Sequence, residues 1–186
     1  MAKSNEIRLV AGRWRGRRLR FPPVPGLRPT PGLVRETLFN WLQGEVAGAR
    51  CLDLYAGSGA LGLEAASRGA LTVVQVEAHP RVVRHLQVTA RQLDAGRIRV
   101  IRADVSRFLR RPPERPFDIV FLDPPFGTGQ VAPVCQALER GGWLAPGAWI
   151  YVEAEAELTP AVPAGWEVWR RKTVGEVGCH LYRRSG

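Results

Sequence analysis

From residue 50 onward, short apolar runs alternate with longer stretches in which apolar residues recur every three or four positions. Runs at residues 50–54, 71–76, 98–102, 117–122 and 149–153 are rich in Val, Ile, Leu and Phe, as expected of strands covered on both faces. The stretches between them, near 60–68, 80–93 and 128–140, predict helices. Pro80 opens the second, and Val82, Val83, Leu86, Ala90 and Leu93 line its inner face. Gly141-Gly142 closes the third. This βαβ rhythm predicts an α/β fold, a doubly wound and mostly parallel sheet. Two more strands, near 167–172 and 177–183, have no helix between them. They are expected as an antiparallel hairpin at the sheet edge, with Gly175 near its turn, giving seven strands in all. No internal repeat and no second large domain is visible.

The pattern ahead of residue 50 differs. Residues 7–21 interleave cations with apolar residues: Arg13, Trp14, Arg15, Arg17, Arg18, Leu19, Arg20, Phe21. Gly12 and Gly16 bracket a turn, predicting a basic β-hairpin. A disordered cationic tail would lack Trp14, Leu19 and Phe21. Residues 22–32 hold five prolines and two glycines, a stiff linker. Thr30 is placed to cap a helix, with Pro31 at its first position. That helix carries Val34, Leu38, Trp41 and Leu42 as one apolar stripe and offers Arg35, Glu36, Thr37 and Asn40 on its other face. The expected division is residues 1–27 as a basic hairpin and linker extension, and 28–186 as the α/β domain.

Composition refines this picture. The chain's 186 residues, 45% of them apolar, suit a single core. No apolar stretch approaches a membrane span, and Met1-Ala2-Lys3-Ser4-Asn5-Glu6 has no signal-peptide core, so a cytoplasmic protein with no membrane contact is expected. Cys51, Cys135 and Cys179 are isolated, and His79, His85 and His180 form no cluster, so no metal is assigned and the thiols are expected buried and free. The net charge of +10 is uneven: residues 1–50 hold 10 Lys/Arg against 3 Asp/Glu. Such clustering suits a surface that meets phosphate. The preference for Arg over Lys fits RNA contact and fits plain genomic base composition equally well.

The candidate chemistry lies at strand ends. Asp123-Pro124-Pro125-Phe126 follows the run 117–122, so a carboxylate, two prolines and an aromatic ring arrive where open α/β sheets bind ligands. Asp123 can accept hydrogen bonds and Phe126 offers a flat face, which suits a planar group carrying an –NH2. Alone, the tetrapeptide is also a proline-rich turn with an Asp cap. Upstream, Asp53-Leu54-Tyr55-Ala56-Gly57-Ser58-Gly59-Ala60-Leu61-Gly62 contains the spacing G-x-G-x-x-G, with Gly57 and Gly59 permitting close approach to the backbone. Glu77 ends the second strand, where an acid can accept from ribose hydroxyls. Asp104 ends the third and can accept from an adenine amino group or simply cap a helix. NAD or FAD would set a pyrophosphate on the helix amino terminus. S-adenosylmethionine would instead set an ammonium near Asp53.

Taken together, these motifs resemble those of Rossmann-like S-adenosylmethionine-dependent methyltransferases that modify exocyclic amines. With Gly12-Arg13-Trp14-Arg15-Gly16-Arg17, Arg28-Pro29-Thr30, Val34-Arg35-Glu36-Thr37-Leu38-Phe39-Asn40-Trp41-Leu42 and Gly175-Glu176-Val177-Gly178-Cys179-His180-Leu181-Tyr182, the chain is similar to the bacterial 16S ribosomal RNA guanine-N2 methyltransferase family. That resemblance spans residues 7–184. It implies a methyltransferase domain over 28–186 with S-adenosylmethionine held by Asp53, Tyr55, Gly57, Gly59, Glu77, Asp104 and Val105. It implies Asp123, Pro124 and Phe126 as the catalytic set and 16S rRNA, free or within the small subunit or an assembly intermediate, as the partner. Arg13, Arg15, Arg17, Arg28, Thr30, Arg35 and Asn40 are the implied RNA contacts, although the last four suit a role in pinning linker and helix to the core equally well. A DNA adenine-N6 methyltransferase, a nucleotide-dependent oxidoreductase and a non-catalytic RNA-binding module remain as alternatives.

Overall fold

The structure, a computed structural model, describes residues 5–27, 29–93 and 95–186. Arg28 lies outside them. The apolar runs form the strands β3 (Arg50–Leu54), β4 (Thr72–Glu77), β5 (Ile98–Arg102), β6 (Phe117–Leu122) and β7 (Leu144–Glu155), which pair in parallel in the order β5-β4-β3-β6-β7. The last two strands, β8 (Trp166–Val174) and β9 (Val177–Arg184), form the expected antiparallel hairpin. β9 pairs with β7, leaving β8 at the edge, and Gly175 takes the left-handed conformation its turn needs. The chain winds outward from β3 on one side, then returns to β6 on the other. β3 and β6 therefore flank the switch point where such sheets leave a crevice.

Strand pleating sends alternate residues to opposite layers. One layer packs α1 (Gly32–Trp41) and α2 (Ala60–Ser67) against Cys51, Val73, Ile119, Phe121 and Tyr151. The other packs α4 (Val105–Phe108) and α5 (Val131–Arg140) against Leu52, Leu54, Val120, Leu122 and Ile150. Between β4 and β5 runs α3 (Pro80–Gln92), with the buried face the sequence predicts. All three cysteines are buried free thiols. Among the described residues, no helix is long and apolar enough to cross a membrane.

At the amino end, β1 (Glu6–Arg8) pairs antiparallel with β2 (Arg18–Arg20). Ile7, Leu9, Trp14 and Phe21 enter the same core as α1 and α2, while Arg13, Arg15, Arg17, Arg18 and Arg20 point to solvent. Gly12 explains the seat. The Arg13 N–H donates to the Ser67 carbonyl at 2.7 Å, and a Cβ on Gly12 would stand 1.9 Å from that oxygen. The hairpin thus rests on the carboxyl end of α2.

Some expected boundaries move, each for a local reason. Thr30 does not cap α1; Pro31 does, with no side-chain bond, and Thr30 is instead buried on the small cavity beside Asp53 and Asp123. α5 starts at Val131 rather than near 128, since the Thr128 hydroxyl donates to the Pro125 carbonyl at 2.6 Å and holds a turn there. β7 starts well before Trp149, because its pairing with β6 jumps from Leu144 to Trp149 across a bulge. α4 is capped by the Asp104 side chain, which accepts from the Arg107 N–H at 3.0 Å, one of the two roles open to that residue. Its single turn is too short to show periodicity.

Candidate active site at the carboxyl ends of the strands

The loop after β3 is built from left-handed residues: Tyr55 at φ 61°, Gly57 at φ 53° and Gly59 at φ 80°. For Tyr55 that conformation costs about 1 kcal/mol, and its hydroxyl is held by donating to Gln130 Oε1 at the start of α5. Asp53 organises the turn from beneath. Its Oδ2 accepts the Gly62 N–H at 2.9 Å and a Gln75 amide hydrogen at 3.0 Å. Desolvation pushes its acid constant up to about 7, against the pull of those two hydrogen bonds, and the nearby Asp123 and Glu77 charges add to the rise. Glu77 steadies the loop from the side, accepting the N–H of Gly57 at 3.0 Å and of His79 at 2.7 Å. Asp104 is exposed and engaged as a cap, and Val105 is buried at the start of α4.

The third glycine of the spacing has a packing reason. A Cβ on Gly62 would stand 2.6 Å from Gln75 Nε2 and 2.8 Å from Asp53 Oδ2. Gly62→Ala is therefore expected to split the Asp53–Gln75 pair and to lower stability by roughly 1–3 kcal/mol. Chemical denaturation of the variant tests this, and an unchanged midpoint would show that β4 yields freely.

On the neighbouring strand, β6 delivers Asp123 and a buried Pro124, then an exposed Pro125 and a Phe126 that is 44% exposed. Asp123 shares a small cavity with Asp53, Tyr55, Gly57, Ser58 and Thr30. Pro124 and Phe126 border a second, larger cleft of about 570 Å³, closed on its far side by Leu158 and Pro160. The Asp123-Pro124 backbone is thus a partition between two spaces.

Glu153 stands beside Asp123 and was not singled out from the sequence. It is 3% exposed and accepts from the Tyr151 hydroxyl at 3.1 Å. Burial raises the acid constants of both carboxyls, Asp123 to about 6, and the Asp123 charge pushes Glu153 up further. An acid at the end of the run 149–153 was the available signal, the same one that marked Asp53 and Glu77. Leu27 was also unanticipated. Its Cδ1 would lie 3.1 Å from a Cβ on Gly57, so the linker roofs the glycine loop.

The residues implied as RNA contacts separate. Arg13, Arg15 and Arg17 are exposed on the hairpin, and Asn40 is exposed on α1. Thr30 faces the small cavity instead of the surface. Of the two roles open to Arg35, the geometry matches pinning. It is 4% exposed, donates to the Arg8 carbonyl at 3.0 Å and pairs with the fully buried Glu64 at 3.5 Å, so it braces the hairpin from inside.

Four carboxyls, Asp53, Glu77, Asp123 and Glu153, converge at these strand ends, and none has a Lys or Arg ion-pair partner among the described residues. A pyrophosphate here would meet negative charge with no counterion. A ligand with a cationic amino acid end and no phosphate relieves that charge. These acids suit the cationic amino acid end of S-adenosylmethionine better than they suit a pyrophosphate.

Comparison with known proteins points the same way. A family model described as conserved hypothetical protein 95 matches residues 7–183. Ribosomal RNA small subunit methyltransferase D of Escherichia coli strain K12 is 47% identical over 183 residues, covering 98% of this chain and 92% of that protein. The Haemophilus influenzae protein of the same name is 41% identical over 181 residues, covering 96% and 94%. The solved structure of Escherichia coli yhhF matches with a TM-score of 0.89 at 48% identity, over 97% of this chain and 99% of that one.

Proposed function

The chain belongs to the family described as conserved hypothetical protein 95, with relatives named ribosomal RNA small subunit methyltransferase D, and on that premise we propose that it methylates N2 of a guanine in 16S ribosomal RNA. One observation carries the chemistry: Asp123 borders the cavity of the glycine loop while Pro124 and Phe126 border the cleft beside it. A methyl donor and a base can then meet across the Asp123-Pro124 backbone.

S-adenosylmethionine, when bound, supplies an electrophilic methyl on sulfur. Asp53, Glu77 and Asp104, with Tyr55, Gly57, Gly59 and Val105, are the residues that would hold it. The amine of guanine is a weak nucleophile because its lone pair is delocalised into the ring, so the site's task is orientation. The Asp123 carboxylate and the Pro124 carbonyl accept the two N2 hydrogens and turn the lone pair toward the donor. Phe126 stacks on the base. Rate enhancement comes from placement and fixed dipoles. A paired guanine leaves its stack to enter, at a cost of a few kcal/mol. Arg13, Arg15 and Arg17 hold the RNA backbone.

The test is transfer of labelled methyl to unmodified small subunits and to naked 16S rRNA, followed by mass-spectrometric identification of the nucleotide. N2-methylguanosine at one position is expected, with calorimetric binding of S-adenosylmethionine and none of NAD. An Arg13→Gln/Arg15→Gln variant should bind RNA more weakly while retaining the cofactor. Methylation of adenine in DNA, or no methyl transfer to either form of RNA, would reject the reading.

A further inference from the structure

β8 is one of the two edge strands of the sheet, opposite β5, and it is exposed on both faces from Glu167 to Thr173. Val168 is 60% and Trp169 46% exposed. A bulge between Val168 and Arg170 interrupts the pairing with β9 at Trp169. The Trp169 ring meets Trp149 edge-on at 5.4 Å. The Arg170 guanidinium lies 5.3 Å from the Trp169 ring, and that of Arg183 lies 4.8 Å from Trp149. Arg171 and Lys172 extend the run of cations. Bulges and cations are common guards against stray strand pairing. A guard accounts for the cations and the bulge. It does not account for large exposed apolar side chains set among them, which add to the hazard. One exposed indole, backed by the buried Trp149 and set among guanidinium groups and further cations, is what a stacked base and its phosphates require.

We propose that this edge is a second RNA-binding surface, with Trp169 as a stacking platform and Arg170, Arg171 and Lys172 as phosphate contacts. It would grip a segment of the substrate away from the methylated nucleotide, and it rests on the reading of the chain as an RNA methyltransferase. Position supports the assignment. Lys172 pairs with Cys179, which pairs with Glu153, so the cations climb to the level of Glu153, two strands or roughly 10 Å away, with Asp123 one strand further. The basic hairpin sits on α2, over β3 and β4, so Asp123 on β6 lies between the two surfaces. Charge decides the partner. Antiparallel pairing with β8 of a second copy would set these cations against one another. A chain of net charge +10 finds its complement in a polyanion.

The experiment measures binding of unmodified small subunits by the full-length protein across a salt series. The variants are Trp169→Ala and the triple Arg170→Gln/Arg171→Gln/Lys172→Gln. The triple variant should bind about tenfold more weakly near physiological salt, and its salt slope should fall by about 2, for three lost contacts to single-stranded phosphates. Trp169→Ala should lose affinity with little change in slope. Ultraviolet cross-linking should join nucleotides to the peptide spanning β8. Wild-type affinity and slope in both variants would overturn the proposal, as would cross-links from β8 to ribosomal protein alone. Methyl transfer with unchanged KM would remove this surface and leave the enzyme. Variant-sensitive binding without methyl transfer by the wild type would remove the enzyme and leave the surface.

Discussion

Asp123→Asn should abolish methyl transfer, by about 10²–10³-fold or more in kcat, while leaving S-adenosylmethionine binding and the fold in place. The substitution keeps the shape of the side chain but exchanges a carboxylate oxygen for an –NH2, which then faces the amine it should accept from. The wild-type pH profile should carry the same information. Burial holds the Asp123 acid constant at about 6, above the 3.8 of an exposed aspartate. The accepting form is the carboxylate, so kcat/KM should rise with pH through about 6 and then level. Stability runs the other way. Between about pH 4 and 6 the folded state binds more protons than the unfolded state at this group, so the group's contribution is greatest in acid and is lost as pH rises through 6. The protein should therefore lose activity on mild acidification before it loses its fold. Because Glu153 shares the burial, the two carboxyls titrate as a pair. Desolvation alone raises Asp123, while the Asp123 charge raises Glu153 further, so Glu153→Gln should leave the limb near pH 6. A flat profile from about pH 5 to 8, or an Asp123→Asn variant that still transfers methyl at more than a tenth of the wild-type rate, would take Asp123 out of the proposed mechanism.

The strand-end acids were legible because one rule covers them. A buried parallel strand reads as an apolar run, and whatever polar residue follows it is delivered to the ligand-binding end. That located Asp53, Glu77, Asp104 and Asp123, and applied to the run 149–153 it would have located Glu153. Three things were hidden for physical reasons. β7 carries a bulge over Ala145, Pro146 and Gly147, residues that read as a turn. Thr30 stands directly before a proline at a helix start, where a cap is the local expectation, but its side chain is buried on the small cavity beside Asp53 and Asp123. Arg35 looked like the polar face of an amphipathic helix because its acceptors, Arg8 and Glu64, are distant in sequence. Local pattern reports which side of a helix is apolar, and it cannot report that a separate hairpin covers the other side.

The largest stability effect should come from Glu64, a residue with no place in the chemistry. It is fully buried on α2 and accepts the N–H groups of Val10 and Ala11 at 2.9 and 3.0 Å. It also pairs with Arg68 at 2.9 Å and with Arg35 at 3.5 Å. Desolvation lowers the Arg35 acid constant, and the Glu64 charge is its main compensation. Glu64→Ala would strand two backbone donors and leave Arg35 buried beside no anion. Loss of one partner from a buried pair costs about 3–5 kcal/mol, so the melting temperature should fall by roughly 10 °C or more for a domain of this size. Both charges must go together to relieve the penalty. Glu64→Leu combined with Arg35→Met should be more stable than either single variant, with a coupling above about 1 kcal/mol in a double-mutant cycle. The two backbone N–H donors of the hairpin would still lack their carboxylate acceptor, so RNA affinity should remain reduced in the double variant even where stability recovers. Additive losses, or a Glu64→Ala loss below about 1 kcal/mol, would mean that the burial of Leu9 and Trp14 and the bonds to Ser67 hold the hairpin without Glu64.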